Sequence, residues 1–254
     1  MDRLEEEVCD NKTTEYRFDL CGNRLEKTDQ NGKETYRYNI KNQLTGRKSQ
    51  SGEIFYQYDK QGNVLQATGT EGGMQYQYNA FGQQVSVVNS DGSSLESLYD
   101  AEYLRAGTIE NGKRKIFLYY NGELLNEFDQ EHEQGHLNRY IPGYGVAAGA
   151  AGWNDGNEGY HFFHLDEQNS TQYITGQTGE IENHYEYDAY GTVCQRQEDY
   201  PNRILYTGQQ YDQITEQYYL RARYYNPTVG RFLQEDVYRG DGLPGSLLDR
   251  LNAK

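Results

Sequence analysis

YRFDLCGNRL (Tyr16–Leu25), YRYNIKNQL (Tyr36–Leu44), YQYDKQGNVL (Tyr56–Leu65) and YQYNAFGQQV (Tyr76–Val85) are four versions of one phrase. Their leading tyrosines, Tyr16, Tyr36, Tyr56 and Tyr76, keep a constant spacing of twenty residues, and Phe18, Tyr38, Tyr58 and Tyr78 follow two places on. Asp19, Asn39, Asp59 or Asn79 comes next, and three residues later Gly22, Asn42, Gly62 or Gly82. Rings two residues apart share one face of a strand. A short polar side chain followed by Gly or Asn makes a turn, because these residues tolerate left-handed backbone. A second short strand such as Asn63–Gly69, and a further turn such as Asp29–Gly32, lead into the next copy. Each twenty-residue unit therefore reads as one β-hairpin, and the chain as all-β: repeated antiparallel hairpins in a continuous sheet that coils into a spiral. Rings at i and i+2 with frequent glycine fit no helix face. The four leading tyrosines are expected on one face of the sheet, with the second aromatics beside them.

Weaker copies follow at Leu98-Tyr99-Asp100 and Tyr119-Tyr120-Asn121-Gly122, and Tyr185-x-Tyr187-Asp188-x-x-Gly191 repeats the unit once more. The organisation expected is hairpins over 1–128, a Gly-rich connecting loop over 129–159, a second periodic block over 160–240 and a tail over 241–254. A short array of hairpins leaves open strands at both ends, which predicts self-association or dependence on flanking chain.

Composition explains what such a sheet is built from. The formal net charge is -15, and aliphatic residues are sparse, a combination that ordinarily signals disorder. The 26 tyrosines reverse that reading, since each buries a large ring while keeping a polar handle. The acidity argues against nucleic-acid partners and anionic membrane surfaces, both of which demand a basic face. No apolar run is long enough to span a bilayer as a helix. The N-terminal MDRLEEEVCDNK does not read as a signal peptide. Cys9, Cys21 and Cys194 are too few and too scattered for a disulfide framework or a zinc site, and read as ordinary thiols. His161 and His164 lie three apart in a strand context, so they face opposite sides and make no metal site. The Gly-rich middle contains neither phosphate-binding glycine motif, and nothing else calls for a cofactor. The chain's one tryptophan, Trp153, sits in that middle stretch and is the weak candidate for carbohydrate binding.

The C-terminal block adds YTGQQYD (Tyr206–Asp212), YYLRARYYNP (Tyr218–Pro227) and GRFLQED (Gly230–Asp236). With the Tyr-x-Tyr-Asp-x-x-Gly units, these elements resemble the RHS/YD-repeat family, which includes bacterial Rhs toxins, the C subunits of ABC toxin complexes and the animal teneurins. His164-x-Asp166-x-x-x-Ser170-Thr171 is similar to the element that precedes the RHS repeat-associated core, with Asn169 where the family has Gly. The resemblance covers about residues 13–240 and implies a shell of spiralling hairpins around an enclosed toxic polypeptide. Tyr187, Tyr206, Tyr224 and Tyr225 join the repeat tyrosines as structural residues. Arg221 and Arg223 flank Ala222, and strand alternation would put both on one face, against carboxylates or rings. The partners implied are other YD-repeat or toxin polypeptides, with carbohydrate as a cell-surface alternative, and the location implied is secreted or cell-surface. In the family the core also acts as a self-cleaving aspartyl-type centre. Asp236 matches its first aspartate and Arg231 the nearby arginine, but the second motif, D-P-x-G, does not follow. Asp241 and Asp249 are the later aspartates, and neither precedes a proline. The expectation is a structural chain that neither cuts itself nor carries a toxin.

Overall fold

The computed structural model describes residues 3–9, 12–70, 72–129, 136–151 and 159–236. Among these residues nineteen strands form one antiparallel sheet. Each strand pairs with its neighbours in chain order, from Glu6–Cys9 against Lys12–Phe18 at one end to Ile181–Tyr187 against Val193–Glu198 at the other. No backbone pairing joins the two ends, so the sheet is a wall and not a barrel. No helix among the described residues is long and apolar enough to cross a membrane.

The repeat motif accounts for each hairpin. Tyr16, Tyr36 and Tyr76 are buried on the inner face, and Tyr56 is half-buried beside them. The second aromatic coincides with a slip in register: between Arg17 and Phe18, Arg37 and Tyr38, Gln57 and Tyr58, Gln77 and Tyr78. This bulge keeps both rings inward while the strand bends towards its turn. In the turn, Asp59 Oδ1 accepts from the Asn63 backbone N–H at 2.9 Å and the Gly62 N–H closes onto the Asp59 carbonyl at 3.3 Å. The backbone at Gly62 has φ 88°, and at Asn42 φ 59°, which is why this place accepts only Gly or Asn.

The hydroxyl of the second tyrosine then stitches one hairpin to the one before. Tyr38 donates to the Arg24 carbonyl at 2.8 Å, Tyr58 to Leu44 at 2.8 Å, Tyr99 to Gln84 at 2.8 Å, Tyr119 to Arg105 at 3.0 Å and Tyr187 to Thr171 at 2.7 Å. Every acceptor is the first residue of a return strand. The Tyr78 hydroxyl departs from the pattern and is buried without a hydrogen-bond partner.

The stretch 129–159, expected as a connecting loop, contributes two strands, His136–Gly143 and Gly145–Ala151, which pair with each other, the first also with Glu123–Asp129 and the second with Tyr160–Leu165. Its small residues serve packing. A Cβ on Gly149 would stand 2.9 Å from the Tyr200 hydroxyl and 3.2 Å from the Phe163 ring. Glycine lets the backbone pass beneath those rings.

The wall curls until its two ends approach. Glu7 accepts from the Ala189 backbone N–H at 2.8 Å, Lys27 stands 3.8 Å from Asp188, and the Tyr16 and Tyr190 rings meet edge-on at 5.1 Å. Inside the curl lies the block 200–236. It carries a small sheet of four strands: Gln210–Asp212, Gln217–Leu220, Arg223–Asn226 and Arg231–Phe232. Three apolar clusters join wall to block. Phe117, Phe163 and Tyr185 pack with Tyr200, Leu205 and Tyr218. Val64, Tyr76 and Val87 meet Tyr219, Tyr224 and Leu233, and Tyr36 and Leu44 meet Val229.

Candidate functional site

The block is held by tyrosine hydroxyls and by a buried ion network. The last turn of the wall offers three successive carbonyls: Ala189 accepts from Tyr206 at 3.1 Å, Tyr190 from Tyr225 at 2.9 Å and Gly191 from Tyr218 at 2.8 Å. Tyr224 is buried with its hydroxyl 2.9 Å from Ser97 Oγ and 3.2 Å from the Tyr99 hydroxyl. The density of tyrosine in the C-terminal block is thus a set of fasteners onto wall backbone and wall side chains.

Arg105, fully buried in the wall, ion-pairs with Asp212 of the block and donates to Gln210 at 2.9 Å. Its guanidinium lies 4.4 Å from the Tyr219 ring centroid. Arg203 reaches Glu127 through two contacts of 2.9 Å, Glu110 at 3.0 Å and Asp212 at 3.3 Å, and Lys115 stands 3.3 Å from both Glu110 and Glu127. Burial alone would raise the Glu110 carboxyl, but Arg203 and Lys115 outweigh it and bring it down to about 2. Glu127 is lowered for the same reasons. A buried charge left without its partner is costly, so this network fixes one seating of the block against the wall. Of these residues only Gln210 and Asp212 belong to a sequence motif, YTGQQYD. Arg105 and Arg203 carry no local signal, because Asp212 lies 107 residues from Arg105 and Glu127 lies 76 from Arg203.

Arg221 and Arg223 do not share a face. Leu220 pairs with Arg223, so Arg221 and Ala222 form the two-residue turn between strands, and Arg221 has φ 57°. That conformation breaks the alternation on which a shared face depends. Arg221 donates to the Gly122 carbonyl at 2.9 Å at the rim of the wall. Arg223 pairs with Asp236 at 2.9 Å and covers the Phe232 ring at 3.7 Å.

Asp236 and Arg231 both line one cavity of about 940 Å³ between wall turns and block, but each engages other partners. Lys41, Lys60 and Arg223 also line it, with Glu235. Arg231 donates to the Asn42 carbonyl at 2.7 Å and to Asn23 Oδ1 at 3.2 Å, and its guanidinium stands 5.1 Å from the Tyr38 centroid. Its visible role is to tie the block to the wall's turns. Asp236 is half-exposed and engages Arg223, the arrangement of a salt-bridge residue. A carboxylate pair that shares a proton needs two acids in contact. Asp241 and Asp249 lie outside the described residues, as does Trp153.

His161 stacks on Tyr200 at 3.9 Å and contacts Glu182 at 2.5 Å on the inner side, whereas His164 points outward to Thr175 Oγ1 at 2.9 Å. No group of three metal-ligating side chains occurs among the described residues.

Comparison with known proteins places this geometry. The chain is 31% identical over 155 residues to the tRNA nuclease WapA of Bacillus subtilis (strain 168), a match over 60% of this chain and 6% of that protein. It is 30% identical over 131 residues to salivary gland surface protein 1 of Aedes aegypti, over 50% of this chain and 4% of that protein. The chain therefore spans a small fraction of these relatives. Among solved structures, the TcdB2-TccC3 complex superposes with a TM-score of 0.54 at 16% identity, over 91% of this chain and 17% of that one. The Photorhabdus luminescens Tc holotoxin pore superposes with a TM-score of 0.55 at 16% identity, over 89% and 15%. The sequence model of the teneurin YD-shell matches residues 3–246, and the chain belongs to that family of RHS/YD-type shells.

Proposed function

We propose that this chain is a wall segment of a shell that encloses a polypeptide cargo, with the block 200–236 as the internal brace that sets the curvature of the wall. The observation that carries this is the curl itself: nineteen strands paired in chain order turn until Glu7 meets Ala189, with the inward tyrosines packed on the brace. The role is structural, not catalytic. The segment shared with WapA is a small part of that nuclease, and this chain's acidity disfavours binding tRNA. Enclosure of a toxin and presence outside the cell belong to this proposal. The test is protease protection of the protein isolated from its own source. A non-wall polypeptide that survives digestion, and is lost only when the shell is first unfolded, supports enclosure. Digestion of every non-wall polypeptide while the wall stays intact overturns it.

A second reading, surface attachment to carbohydrate, is favoured by the outer face. Tyr160, Phe162 and Tyr173 stand exposed on adjacent strands, where a sugar ring could stack. Glycan-array binding that falls in Phe162→Ala and Tyr173→Ala is its expected outcome. No binding by the unaltered chain ends it.

A further inference from the structure

The seam where the wall's two ends approach brings together what the sequence holds far apart. Glu7 and Cys9 are two residues apart in the strand Glu6–Cys9 and so share a face. Glu7 uses that face to grip the Ala189 N–H at 2.8 Å on the last wall turn. Cys194 follows that turn at the start of the strand Val193–Glu198 and reaches back to the Thr192 carbonyl at 3.5 Å. Cys9 and Cys194 line one cavity of about 280 Å³, together with Lys27, Asp29 and Asp188. None of the cysteines is in a disulfide; Cys21 and Cys194 are both exposed and Cys9 is half-buried, but Cys21 sits on a turn outside this cavity. A metal would need further ligands, and no group of three metal-ligating side chains stands there among the described residues.

We propose that Cys9 and Cys194 are a modification site: an intramolecular disulfide that latches the first and last strands of the wall across the seam. A disulfide requires Cα atoms within about 7 Å. The two ends share no backbone ladder, and side-chain contacts such as Glu7–Ala189 and Lys27–Asp188 span the gap, so the edges can close that distance without breaking a strand pair. The oxidant is a small-molecule disulfide such as oxidised glutathione. One cysteine thiolate attacks a glutathione sulfur, forming a mixed disulfide and expelling one glutathione thiolate. The second cysteine thiolate then displaces the other glutathione, forming the Sγ–Sγ bond. Two protons leave the protein, and two electrons reduce the oxidant to two thiols. Burial, the Asp188 carboxylate and the neighbouring Cys9 push the Cys194 thiol up to about 11, so closure is slow at neutral pH and quickens as pH rises towards 10.

The experiment treats the full reduced chain with oxidised glutathione and maps the products by mass spectrometry without reduction. The expected product is a Cys9–Cys194 linked peptide with the mass of two hydrogens lost, while Cys21 stays open to alkylation. The link should persist in Cys21→Ser and disappear in Cys194→Ser, and it should lose its preference over links to Cys21 in urea. Separate glutathione adducts on Cys9 and Cys194 without a link overturn the proposal. So does a link between two chains, or one that forms as readily in urea as in the folded chain.

Discussion

The two tyrosines of a repeat differ in what their hydroxyls reach: Tyr36 donates to Glu34 in its own strand, Tyr38 to Arg24 in the hairpin before. The sequence made the second tyrosine legible as an inward ring, because period two is a local property. It did not reveal the role of its hydroxyl, because the acceptor lies in the preceding hairpin, as Leu44 does for Tyr58. Tyr58→Phe keeps the ring and removes one half-buried hydrogen bond, leaving the Leu44 carbonyl short of a donor. The expected cost is about 1 kcal/mol, read as a lower urea midpoint with unchanged slope. Tyr78→Phe supplies the contrast, since its hydroxyl has no partner to lose and its removal should be neutral or slightly stabilising. Equal destabilisation by both substitutions would show that ring packing, not the stitch, sets the cost. Arg221 marks the limit of the same local reasoning: alternation predicted its face, and a turn inside the motif cancelled the alternation.

At the scale of the element, the hairpins were legible because ring, polar turn residue and glycine recur in fixed order. The strands within 136–151 were not, because Gly and Ala carry no alternating signal of their own, and their fit depends on rings supplied by Phe163 and Tyr200. The turn position tests whether its glycine serves backbone or space. Asn42 and Gly62 occupy equivalent places, both with positive φ. A Cβ on Gly62 would stand 2.5 Å from Glu235 Oε2, so Gly62→Ala meets strain and a neighbour together. The expected loss is about 1–2 kcal/mol. Asn42→Gly relieves the same backbone but gives up the bond from Asn23 Nδ2 at 2.9 Å, and should shift stability by less than half as much. Chemical denaturation of the two variants decides. An unchanged Gly62→Ala would mean that Glu235 and the turn yield freely.

Across the whole molecule, the seating of the block on the wall was the part hidden from the sequence. Asp212 and Arg105 are separated by 107 residues, and nothing near Arg105 marks it as buried. The network they belong to should make the protein sensitive to acid. Glu110 sits near 2 in the folded chain against an ordinary 4.5, held there by Arg203 and Lys115. A carboxyl depressed on folding contributes its full stabilisation above its unfolded value and loses it as pH falls towards the folded one. The loss therefore runs from about pH 5 to about pH 2, and is on the order of 3 kcal/mol for a shift of this size. Glu127, lowered in the same direction, adds to it. Many of the other acidic residues protonate in the same range, so the useful quantity is the difference between the parent and Glu110→Gln. That variant cannot titrate at this place. It should be less stable than the parent at pH 7 and converge with it near pH 2, because only the parent has charge there to lose. Urea midpoints at pH 7, 4 and 2.5 provide the measurement. A gap that stays constant over that range would mean that Glu110 acts through shape and hydrogen bonding alone, and that its charge does not hold the block to the wall.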